Sequence, residues 1–136
     1  MKRDEQRGGP LEGATMYMAE VRASKWEALC AFYGTTLGLP QRMLDSKGRF
    51  AMYGGAAPFV AVVGRDQLAA GVSRVVLDFV VKDLDACLAA LRGRGVQPAA
   101  APETSPEGYR IARIADPEGN EIHLFEWSAA GAPQGA

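Results

Sequence analysis

The chain has 136 residues, 48% of them apolar and 23% charged, and a formal net charge of -1. That is the length of one domain, or of two small modules sharing one core, in an ordinary globular composition. The near-zero charge excludes an electrostatic footprint for nucleic acid or an anionic membrane, and no apolar run approaches the ~20 residues that a bilayer span needs.

The first stretch, MKRDEQRGGPLEGAT, is charged and has no apolar centre. It reads as a flexible tail over residues 1–14 rather than a secretory signal, and residues 128–136 read as a second tail. The period-2 pattern of Tyr17–Ala23 predicts a strand. A helix should start at about Ser24 as N-cap, with Trp26, Leu29, Cys30, Phe32, Tyr33 and Leu37 on its apolar face; Gly38 and Pro40 stop it. Short strands are expected at Gln41–Leu44, Arg49–Tyr53 and Phe59–Val63, separated by Gly-, Ser- and Pro-bearing turns. Arg74–Val81 reads as another strand. A second helix should begin at Asp83, carry Leu84, Cys87, Leu88 and Leu91 on one face, and end at Gly93 and Gly95. Ala99–Gly108 reads as a loop, and the last strands are Tyr109–Ala115 and Glu121–Trp127, joined by an Asp-Pro-Glu-Gly-Asn turn. Cys30 and Cys87 fall in the helical patterns and are expected as buried thiols in a reducing cytoplasm. One histidine and no Cys-x-x-Cys argue against a soft-ligand zinc site.

The order strand, helix, three strands is written twice. Sliding the chain by 58 positions lays EVRASKWEALCAFY on DFVVKDLDACLAAL. Glu20 then falls on Asp78, Val21 on Phe79, Ala28 on Ala86, Leu29 on Cys87 and Pro40 on Pro98. The doubling predicts an α+β fold of two tandem βαβββ modules, at 15–66 and 73–127, within one structural domain.

ALCAFYGTTLGLP (Ala28–Pro40), VVKDLDACLAALRGRGV (Val80–Val96) and ADPEGNEIHLFEW (Ala115–Trp127) together resemble the vicinal oxygen chelate superfamily, the glyoxalase/bleomycin-resistance/extradiol-dioxygenase fold. The resemblance implies that each module curls a mixed sheet into a cup, with the helices packed outside, and that paired cups form a ligand trough. Strand alternation then sorts the residues. Met18, Glu20 and Arg22 face the cup from the first strand, Val76, Asp78 and Val80 from its repeat, and His123, Phe125 and Trp127 from the last. Leu77, Phe79, Val81, Ile122 and Leu124 face the helix.

Metal-dependent members of the superfamily use four symmetry-related positions, which here fall on Met18, Ala61, Val76 and His123. A thioether, a methyl and an isopropyl are not donors for a divalent ion, so no metal and no cofactor is expected. The resemblance then points to the metal-free, bleomycin-resistance-like branch. That branch implies a cytoplasmic homodimer taking a small-molecule ligand, aromatic or hydrophobic and in some members an antibiotic, with no nucleic-acid or membrane partner. Besides the cup residues already given, Phe50, Tyr53, Phe59, Ala61 and Arg113 are candidate ligand contacts. Two alternatives stay open. One is a metal-independent isomerase, cyclase or lyase using His123 with Glu20 or Asp78 as acid and base. The other is a metal-dependent lyase or dioxygenase. Whether any reaction is catalysed is left undecided by the residues.

Overall fold

The computed structural model describes residues 9–128. It has the expected α+β class, with eight strands and two helices in the order strand, helix, three strands, twice over. The chain divides into two compact units, one of Met16–Leu77 and one of Asp78–Ala136 joined by Met1–Thr15.

In the Met16–Leu77 unit, β1 (Thr15–Ala23), β2 (Gln41–Asp45), β3 (Phe50–Tyr53) and β4 (Phe59–Gly64) lie in the order β2-β3-β4-β1. β1 runs parallel to β4, and the β2–β3 and β3–β4 pairs are antiparallel. Helix α1 (Trp26–Ala31) lies over one face, where Trp26 packs with Ala23, Ala51, Tyr53 and Val62. The Trp26 indole N–H, which could not be buried unpaired, donates to the Val62 carbonyl at 2.9 Å.

Helix α1 departs from the expectation in two ways. Ser24 does not cap it: Lys25 holds the N-cap position and makes no side-chain capping bond. The regular helix also ends after six residues and continues as a π-helical turn over Phe32–Thr36. A β-carbon built on Gly34 would sit 2.9 Å from the Tyr53 ring, so the wide turn brings backbone against an aromatic at a position that tolerates no side chain.

In the second unit, α2 (Leu84–Gly93) packs Leu84, Cys87, Leu88 and Leu91 against Val81, Ala112, Ile114 and Leu124. The Asp78–Val80 end of β5 (Val75–Val80), β8 (Glu121–Trp127), β7 (Tyr109–Ala115) and the two-residue β6 (Glu103–Thr104) follow one another as neighbours. The composition of β6 reads as loop, and the structure corrects that. Its two residues pair with Ile111 and Arg110 of β7, using backbone groups that a loop would have left to water. Asp83 caps α2 as expected, its carboxylate accepting from the Ala86 N–H at 3.0 Å. Glu126 of β8 accepts a second first-turn amide, Leu84 N–H, at 2.9 Å. Arg110 forks onto Asp85 at 3.0 and 3.1 Å, so the helix start is tied to both strands of the last hairpin. Residues 9–14, expected as tail, are packed: Leu11 and Ala14 lie against the α2 core. Residues 1–8 and 129–136 of the expected tails lie outside the described residues.

The Asp116–Asn120 turn positions the site strand. Asp116 accepts from Glu118 N–H, Asn120 N–H and the Asn120 side-chain amide, each at 2.9 Å. The bonds from the Asn120 side chain and backbone hold its carboxyl below the usual 3.8, and Arg110 does the same for Asp85. A carboxyl depressed in the folded state contributes stability above its unfolded pKa and loses it as pH falls through the folded value. Urea melts at descending pH should therefore show stability falling below about pH 4, with the fall shallower in an Asp116→Asn variant. An equal fall in the variant would remove Asp116 as a contributor.

Candidate ligand-binding site

The site is built from β8 outward. Ile122 and Leu124 pack toward α2, so period-2 geometry turns Glu121, His123, Phe125 and Trp127 to the opposite face. The antiparallel register sets Arg113 beside His123, Ile111 beside Phe125 and Tyr109 beside Trp127. On the neighbouring strand β5 and just after it, Phe79 and Val81 go to the helix side while Asp78 goes with His123.

His123 is 8% exposed and Asp78 1% exposed. His123 Nδ1 lies 2.9 Å from Asp78 Oδ1, and His123 Nε2 lies 2.5 Å from Glu121 Oε2. A neutral imidazole has one N–H, whereas two flanking carboxylates both call for a donor. The arrangement is satisfied by an imidazolium donating on both sides, or by a proton shared onto one carboxyl; either way three titratable groups hold a common pool of protons. Pairing is also what makes a carboxylate tolerable at the burial of Asp78.

Beside this triad stands an aromatic corner. Tyr109 and Trp127 meet edge to face at 5.2 Å and 80°, Phe125 and Trp127 at 5.4 Å and 89°, and Tyr109 and Phe125 at 6.0 Å. Phe125 is 5% exposed and braces the corner, while Tyr109 and Trp127 are half-buried. Arg113, half-buried, lies 3.5 Å from Glu103 of β6.

Sequence alternation finds His123, Phe125, Trp127 and Asp78 but misses Tyr109 and Glu121. Glu121 is two residues before His123 on the same strand, and Tyr109 follows from counting back through the hairpin turn.

In the Met16–Leu77 unit the register sets Met18 beside Phe59, Glu20 beside Ala61 and Arg22 beside Val63, with Met52 and Phe50 on the far side of β4 from β1, opposite Ala61 and Val63. These lie on the sheet face turned away from α1. Phe59 is 4% exposed, with the Tyr17 ring 5.5 Å away edge-on and the Arg42 guanidinium 4.8 Å over its face. Arg22 Nη1 donates to the Ser73 carbonyl at 3.0 Å. Tyr53 is a correction. Three residues from Phe50, it points to the other face and is a 2% exposed core residue under α1. Burial, and then a hydrogen bond with the Cys30 thiol, push its phenol up to about 12. Ala61 and Val76 have no exposed surface and can only back a wall, and Val80 is half-buried.

The donor chemistry does not fit the family's metal arrangement. Of its four positions Met18, Ala61 and Val76 offer no hard donor, and His123 alone carries one.

The structure is similar to solved structures at low identity. A glyoxalase/bleomycin resistance protein/dioxygenase superfamily member from Vibrio splendidus 12B01 matches with a TM-score of 0.64 and 13% identity, over 80% of this chain and 96% of that one. Methylmalonyl-CoA epimerase from Mycobacterium tuberculosis matches with a TM-score of 0.64 and 19% identity, over 85% and 89%. A single-residue variant of the Streptomyces coelicolor methylmalonyl-CoA epimerase, in complex with 2-nitronate-propionyl-CoA, gives 0.61 and 22%, over 85% and 97%. At these identities the likeness is one of fold. No curated protein matches the chain. The model of the glyoxalase-like domain matches residues 18–125, nearly the whole described chain, and the protein belongs to that family, within the vicinal oxygen chelate superfamily.

Proposed function

We propose that the protein is a metal-free small-molecule-binding protein of the glyoxalase/bleomycin-resistance type that sequesters an aromatic or hydrophobic ligand, an antibiotic being one candidate. The observation that carries this reading is the Tyr109–Phe125–Trp127 corner, which shares a sheet face with the acidic triad. Half-buried aromatic rings beside a net negative cluster suit a planar molecule with a cationic group. Within the Met16–Leu77 unit, taken by itself, the sequence candidates Met18, Glu20, Arg22, Phe50 and Phe59 stay in the proposal, without Tyr53. A homodimer in the cytoplasm belongs to the same proposal; among the described residues no helix is long and apolar enough to cross a membrane.

The test is a fluorescence titration of the purified protein with bleomycin and a panel of planar aromatic cations. Saturable quenching is expected, unchanged after treatment with EDTA and dialysis. Failure of every compound to bind would reject sequestration of this ligand class. Loss of binding on chelation, restored by one divalent metal, would reverse the metal-free part.

A second reading is favoured by one distance, the 2.9 Å between His123 Nδ1 and Asp78 Oδ1. A carboxylate that orients an imidazole is the arrangement of a general acid–base pair, suited to a metal-independent isomerase, cyclase or lyase. Solvent-deuterium incorporation into a bound ligand, abolished in His123→Ala, would support it; incorporation undiminished in that variant would reject it.

A further inference from the structure

Within the Met16–Leu77 unit, a cleft of about 590 Å³ is lined by Ser24, Asp66, Gln67, Leu68, Ala69 and Arg74. We propose that it is a second binding site, for a small organic anion bearing a carboxylate or a phosphate, with Arg74 as the main contact. None of its lining residues belongs to the site above, and the inference does not rest on the function proposed there.

The cleft has a defined frame. The chain leaves β4 with Arg65 N–H bonded to the Ala23 carbonyl at 2.8 Å and returns with the Arg74 carbonyl accepting from Arg22 N–H at 2.8 Å. Both ends of the 65–74 loop are thus fastened to β1. Val72 N–H closes a turn onto the Ala69 carbonyl at 3.2 Å, with Gly71 at φ +83°, and the Ser73 hydroxyl donates to the Val75 carbonyl. A loop with fastened ends and internal bonds holds its lining residues in place before a ligand arrives.

The charges favour an anion. Residues 22–25 and 64–74 carry four cations, Arg22, Lys25, Arg65 and Arg74, against one carboxylate, Asp66, in a chain whose net charge is -1. That carboxylate is already held by Arg49 at 2.7 Å. Arg22 and Arg65 each spend a guanidinium N–H on a backbone carbonyl, of Ser73 and Gly64. Among the described residues no hydrogen bond or ion pair engages the Arg74 guanidinium. Ser24 makes no capping bond, so its hydroxyl is available in the lining, as is the Gln67 amide. A guanidinium fork with a hydroxyl and an amide matches the planar oxygens of a carboxylate or the tetrahedral oxygens of a phosphate, and Leu68 and Ala69 give a short apolar wall for the attached carbon chain.

Two-dimensional ¹⁵N–¹H spectra of the full chain, titrated at constant ionic strength with succinate and separately with methyl phosphate, test the proposal. Saturable shifts are expected at the Ser24, Gln67, Leu68, Ala69 and Arg74 amides with at least one anion, the tighter one identifying the head group. Arg74→Met should weaken binding at least tenfold, and Arg74→Lys should fall between, because charge is kept but the fork is lost. Ser24→Asp, which sets a negative charge in the lining, should abolish binding and serves if Arg74→Met fails to fold. Shifts that never saturate with either anion, or an affinity indifferent to these variants, would overturn the site.

Discussion

A His123→Ala variant is expected to lose about 3–5 kcal/mol of stability, the range seen when one partner of a buried ion pair is removed. The reason lies in what the imidazole leaves behind. Asp78 is 1% exposed, and its Oδ1 loses a hydrogen-bond partner at 2.9 Å. Glu121 loses its own contact on the other ring nitrogen. Urea melts of His123→Ala, Asp78→Leu and the double variant would form a cycle, with the double variant less damaged than the sum of the singles because the more deeply buried carboxylate leaves with its partner. Strict additivity would mean that the 2.9 Å contact carries no coupling. A His123→Ala loss below about 1 kcal/mol would show that the buried carboxylate is compensated by other means.

The second large effect concerns binding. Trp127→Ala should weaken an aromatic ligand at least about tenfold, equivalent to ~1.4 kcal/mol, while stability falls much less than in His123→Ala. Trp127 is only half-buried and lies at the end of β8, so its removal opens ligand-facing surface more than it hollows the core. Tyr109→Ala should follow in the same direction, whereas Phe125→Ala, at 5% exposure, should cost stability as well. Calorimetric titration with the tightest compound found for the parent protein checks all three. Unchanged affinity in Trp127→Ala would place the ligand elsewhere.

What the sequence carried can be followed residue by residue. β7 and β8 were legible to their last residues because strict alternation is framed by a turn whose Asp116 gathers its own amides. Asp83 was legible as a cap for the same local reason. Helix α1 was not. Its start depends on how Trp26 reaches the Val62 carbonyl, 36 residues away, and its π-helical turn on Gly34 lying against Tyr53. Neither contact leaves a local pattern. The face taken by Tyr53 was lost for a related reason: with Phe50 three residues away the two could not share a side, and only the pairing of Tyr53 with Val60 and of Phe50 with Val63 tells which goes to the helix. Glu121 and Tyr109 were readable in principle, one by parity and one by register, once His123 was taken as the origin rather than as a lone residue.

The chain has two tryptophans, and the structure deals one to each unit. Trp26 is 7% exposed with its N–H on a backbone carbonyl, while Trp127 stands half-open among aromatic rings. The protein therefore contains its own pair of optical reporters with different surroundings. In Trp127→Phe the remaining emission follows only the Met16–Leu77 unit, and in Trp26→Phe only the other. Comparing the two denaturation curves would show whether the repeated halves melt as one cooperative body or in sequence.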